Sequence, residues 1–171
     1  MNKRDHVLNA FLLSIGISLI LSPELSWETL LMLVTVTPPI ILGALFPDID
    51  AVIGVHRKTF HNVWVLGFLL VFPYFFGNLH YVWIGVLTHL VLDLLGNQYG
   101  LGLLYPLPGF YDIPVGVTVD SRWADVVTLI VTAFELGVIY LLVENGFEAH
   151  LATPGLPEAV DSVINMVTAA V

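Results

Sequence analysis

The stretch from Leu45 to His61, LFPDIDAVIGVHRKTFH, sets two aspartates two residues apart, Asp48 and Asp50, ahead of His56, Arg57 and His61. Downstream, His89 and Asp93 stand four residues apart within an apolar run, and His6 precedes the first apolar run. Carboxylate oxygens and imidazole nitrogens are the donors of zinc, manganese, iron and magnesium sites. The candidate ligands are therefore His6, Asp48, Asp50, His56, His61, His89 and Asp93. Together they suit a mononuclear or dinuclear hydrolytic centre, in which the ion acidifies a water. Asp50 is also a candidate general base. Arg57 offers a fork of donors that fits an anionic oxygen on a phosphoryl or carbonyl group. Glu135 lies in the middle of another apolar run and reads as a further ligand, a partner orienting a histidine, or a neutral acid. The plain alternative for all of these is a buried hydrogen-bond network. Ionisable groups inside membrane spans are costly and mark function, which weighs against that alternative for His89 and Asp93.

The elements that must position these residues are membrane helices. The chain of 171 residues is 57% hydrophobic and only 11% charged, where a soluble domain holds about a quarter charged. Its mean hydropathy is +0.90. The sequence predicts an all-α, polytopic helical bundle of about five transmembrane helices: 7–21, with a start as early as Asp5, then 27–46, 63–76, 81–95 and 123–143. Pro38 and Pro39 predict a kink in the second. Residues 77–80 predict a tight turn. Residues 96–122, punctuated by five glycines and three prolines, predict an irregular but apolar flap over the site. The membrane domain is expected to cover 1–143. An acidic tail follows over 144–171, with a weakly amphipathic stretch at 157–171.

Charge sets the expected orientation. With the N-terminus inside, segments 1–6, 47–62 and 96–122 face the cytoplasm and contain Lys3, Arg4, Arg57, Lys58 and Arg122, which are all five basic residues. The C-terminus is then outside, and the candidate ligands gather on the cytoplasmic side of the cell's inner membrane. His80 and His150 fall on the outer side as surface residues. The formal charge of −9 disfavours nucleic acid and anionic lipid as partners. With no cysteine, thiolate metal sites and disulfides are excluded.

The order of these motifs resembles the LexA-regulated, membrane-bound predicted metal-dependent hydrolases. The elements are His6; Leu45-Phe46-Pro47-Asp48-Ile49-Asp50; His56-Arg57 with His61; Gly85-Val86-Leu87-Thr88-His89 with Asp93; and Gly100 with Leu103-Leu104-Tyr105-Pro106. Where members of that family read HRGxTHS, this chain reads HRKTFHN, with Lys58, Phe60 and Asn62 as the departures. The family is similar at a distance to zinc-dependent phospholipase C-like phosphoesterases. The resemblance implies a hydrolase that uses a divalent metal, zinc foremost, on a phosphoester, and the membrane location suggests a lipid or other small molecule. Two readings from other classes remain open. One is a non-enzymatic membrane protein with a structural metal. The other is a small ion or solute carrier, which would spread ionisable groups through the membrane depth.

Overall fold

A computed structural model describes residues 1–96, 98–113, 116–118 and 121–147. The described residues form five substantial helices and one short one: α1 (Lys3–Leu21), α2 (Trp27–Leu45), α3 (Asp50–Ile53), α4 (Val63–Phe76), α5 (Val82–Gly96) and α6 (Ala124–Leu142). Among the described residues there is no strand, only one antiparallel bridge between Leu101 and Tyr111 in the long loop. The expected tail, with its stretch at 157–171, and His150 lie outside the described residues from position 148 on.

Local chemistry sets the helix ends. Asn2 caps α1 by accepting from the Asp5 backbone, while the Asp5 carboxylate accepts from the Asn2 backbone; this reciprocal box stabilises the first turn. Asn62 caps α4, accepting from the backbone of Trp64 and Val65 and donating to the carbonyls of Lys58 and Thr59. The asparagine that departs from the resembled motif thus does the capping a serine hydroxyl would do. Gly77 ends α4 in the left-handed region at φ 64°, which glycine adopts without strain. α2 runs on through Pro38 and Pro39, while Thr35 and Thr37 turn their hydroxyls onto the carbonyls of Leu31 and Leu33 one turn back.

α5 is the hub, packing against α1, α2, α4 and α6. Ala10, Leu13 and Ile17 of α1 meet Val36, Ile40 and Ala44 of α2 and Ile84 of α5 in one buried cluster. Where α2 crosses α5 the backbones touch: a Cβ on Gly43 would strike the Val82 carbonyl, and one on Gly85 the Ile40 carbonyl. Small residues permit this approach, as they do between membrane helices generally. A buried polar cluster joins α1, α5 and α6. Asn9 donates to the Thr88 hydroxyl at 2.7 Å, Thr88 lies 2.7 Å from both oxygens of Glu135, and Thr132 donates to Asn9 at 2.5 Å.

Three helical stretches are long and apolar enough to cross a membrane: Lys3–Leu21, Trp27–Ile53 and Ala124–Gly146. The other two apolar helices, α4 and α5, have 14 and 15 residues. At 1.5 Å per residue they reach about 21 and 22 Å, less than the roughly 30 Å of a hydrocarbon core. The stretch between α2 and α4 is more structured than a loop, with a tight 3-10 turn at Pro47–Ile49 leading into α3.

Candidate metal centre

Four side chains from two parts of the chain face one another. α5 supplies His89 and Asp93, one turn apart on one face, with His89 Nε2 3.8 Å from Asp93 Oδ2. The segment between α2 and α4 supplies Asp48 and His61. Asp48 Oδ1 stands 3.9 Å from the Nε2 atoms of both His61 and His89. His61 Nε2 lies 3.8 Å from Asp93 Oδ2 and 3.0 Å from His89 Nε2. His61, His89 and Asp93 are almost wholly shielded from solvent, and Asp48 is partly so.

The outward nitrogen of each of the two imidazoles is fixed. His89 Nδ1 donates to the Ala44 carbonyl at 2.6 Å, a reach that the backbone contact of Gly43 with Gly85 allows. His61 Nδ1 pairs with Asp50 Oδ2 at 2.8 Å. A carbonyl or a carboxylate can only accept, so each Nδ1 carries the proton and each neutral ring turns a bare lone pair inward at Nε2. Two lone pairs 3.0 Å apart repel unless a cation lies between them. Burial favours the neutral ring and pushes the His61 imidazole below its ordinary pKa, outweighing Asp50, which pulls it up. The separations of 3.0–3.9 Å bracket the edge of a tetrahedron with metal bonds of about 2.0–2.2 Å, roughly 3.3–3.6 Å. The donor set of two imidazoles and two carboxylates fits a divalent ion, and each histidine has the outer hydrogen bond that metal-binding histidines carry.

The other expected residues fall around this group. Asp50 is buried and both its oxygens are engaged, Oδ1 with His56 Nδ1 at 2.8 Å and Oδ2 with His61. His56 is exposed at the rim with its ring edge-on to His61. His6 stacks on His89 with centroids 3.7 Å apart and planes at 12°. Its Nε2 is 3.3 Å from Asp93 Oδ1 without the alignment of a hydrogen bond, and its Nδ1 has no partner although the residue is 1% exposed. The Met1 ammonium lies 2.7 Å from the same Oδ1. Two separate sets, His6–His89–Asp93 and Asp48–His56–His61, each bring three donor atoms within 4.8 Å of one another. Glu135 pairs with Thr88 instead of an imidazole and stands in its own cluster.

Arg57 joins the centre to an open cleft. Its Nη2 is 4.0 Å from Asp93 Oδ2, its Nη1 donates to the Tyr99 carbonyl at 2.9 Å, and the guanidinium lies over the Tyr99 ring. Its backbone is left-handed at φ 63°, uncommon for a side-chain-bearing residue and a strain found at functional sites. Its carbonyl accepts from Gly102 of the long loop. Arg57, Tyr99, Gly100, Phe110 and Asp112 line a cleft of about 550 Å3. Sequence reasoning missed the Ala44 carbonyl, a backbone atom that carries no residue signature, and Tyr99, which meets Arg57 through both its carbonyl and its ring.

The profile of a family described as YdjM inner membrane protein matches residues 1–156. The chain belongs to the YdjM inner membrane protein family. This bears out the membrane reading and the inner-membrane location of the family, and it agrees with the LexA-regulated group that the motifs resemble. Neither curated proteins nor solved structures yield a match to this YdjM-family chain.

Proposed function

We propose that this YdjM-family protein is a metal-dependent hydrolase, embedded in the inner membrane through its five main helices, that cleaves a phosphoester at the cytoplasmic face. The observation that carries the reading is the pair of inward lone pairs on His61 and His89, closed by Asp48 and Asp93. These four residues would hold a divalent ion, zinc foremost. When bound, the ion supplies Lewis acidity and a water acidified towards neutrality. Asp50 fixes the tautomer and direction of His61, and with both oxygens taken it braces the site and does not move protons. His56, held by Asp50 and open to solvent, is the group placed to carry a proton away. Arg57 faces both the centre and the cleft, so it binds and orients an anionic phosphoryl oxygen there. The exposed aromatic rings of Tyr99 and Phe110 in the cleft wall suit a lipid phosphoester. The cleft beside Arg57 favours catalysis over a purely structural ion.

The orientation rests on the basic residues, all on the segments at the ligand end of the bundle. The test pairs elemental mass spectrometry of detergent-purified protein with hydrolysis of phosphodiester and phospholipid substrates, with and without chelator. The expected result is bound metal and chelator-sensitive turnover that Arg57→Ala lowers at least tenfold. Absence of metal after incubation with zinc or manganese would overturn the reading.

A further inference from the structure

We infer that the centre is built for two divalent ions, with Asp93 bridging them and His6 holding the second. The inference rests on the hydrolase reading for the first ion and on separate geometry for the second.

An imidazole binds a cation in the plane of its ring. His6 and His89 lie in nearly parallel planes, with centroids 3.7 Å apart. Rings stacked in this way do not aim at one point; their lone pairs aim at two points separated by about the ring spacing. Two-metal hydrolytic sites hold their ions about 3.5–4 Å apart, which matches. Asp93 divides in the same sense. Its Oδ2 faces His61 and His89, each at 3.8 Å, while its Oδ1 faces His6 at 3.3 Å. A carboxylate whose two oxygens face two separate donor groups is placed to bridge.

His6 supplies the independent observation. It is 1% exposed, and its Nδ1 and Nε2 make no hydrogen bond among the described residues. Buried polar atoms are rarely left in that state. The Nε2 of His6 reaches Asp93 Oδ1 without the geometry of a hydrogen bond, as two donors to a shared cation would. Asp93 Oδ1 also already attracts positive charge, since the Met1 ammonium lies on it at 2.7 Å. A second ion would displace that ammonium.

The experiment counts metal per chain by elemental mass spectrometry in the full-length protein and in His6→Ala, after saturation with manganese and removal of free ion. The expected ratios are two in the parent and one in His6→Ala. Electron paramagnetic resonance on the same samples should show spin-coupled manganese in the parent and an isolated-ion signal in the variant. One ion in both proteins, with no coupling, would overturn the second site and leave the hydrolase reading standing. No ion in the parent would overturn both. The resonance measurement on the parent alone decides the matter if His6→Ala does not fold.

Discussion

Asp50 and Asp48 are two residues apart and chemically identical, yet the fold gives them different work. Asp48 turns an oxygen towards two imidazoles, while Asp50 is buried beneath His61 and His56. Replacing Asp50 by Asn keeps the volume but leaves one acceptor for two Nδ1 protons and turns an amide N–H against the other. Loss of such an outer partner costs about 10–100-fold in metal affinity. Asp50→Asn should weaken metal binding by that factor, read by competition with a chelator of known affinity. An Asp50→Asn protein that keeps parental affinity would show that the brace is not needed.

His61 makes a pH prediction at the same scale. Its native imidazole titrates below the ordinary histidine value, because it is buried. As pH falls through about 6.5, the unfolded chain gains a proton on His61 that the native chain refuses. Stability of the metal-free protein is therefore present above that pH and lost towards acid. Thermal unfolding in chelator at about pH 7.5 and about pH 5.5 should show the loss, and a smaller one in His61→Asn.

Helix packing decides whether the site exists at all. Gly43 and Gly85 bring the backbones of α2 and α5 together, and His89, one turn beyond Gly85, then reaches the Ala44 carbonyl. A methyl at Gly85 has nowhere to go but into the α2 backbone. Gly85→Ala should cost about 1–3 kcal/mol through overpacking and also lower metal affinity by moving His89 off Ala44. Thermal melts and metal titration measure the two effects, whereas Gly67→Ala, at an open position, should show neither. Much of this level was legible in the residues. The spacing of His89 and Asp93 places them on one helix face, and the apolar runs predict the five long helices within a few residues of where they lie. The partition of Asp48 and Asp50 was not legible, because a 3-10 turn and a four-residue helix set which way each carboxylate points. The pairing of Glu135 with Thr88, 47 residues away, was hidden for another reason: it depends on how α5 and α6 are rotated against each other.

At the scale of the whole molecule, His6, Asp48, His61, His89 and Asp93 lie far apart in the chain but meet at one end of the bundle. That end carries the basic residues, which orient it to the cytoplasm in the proposed topology. Because the chain has no cysteine, single-cysteine variants report cleanly. Asn78→Cys, beyond α4, should react with a membrane-impermeant maleimide on intact cells, and Val55→Cys, beside the ligands, should react only after lysis. The opposite pattern would reverse the orientation.

The stacking of His6 on His89 joins the first long helix to the fourth. In the proposed topology, neither ring has its neighbour until both helices are inserted and docked. The donor set is thus complete only after most of the chain has been inserted, so in the proposed enzyme metal loading follows membrane assembly. A half-inserted chain would carry scattered imidazoles and no competent centre, and ion uptake would mark the point at which a newly made molecule has matured.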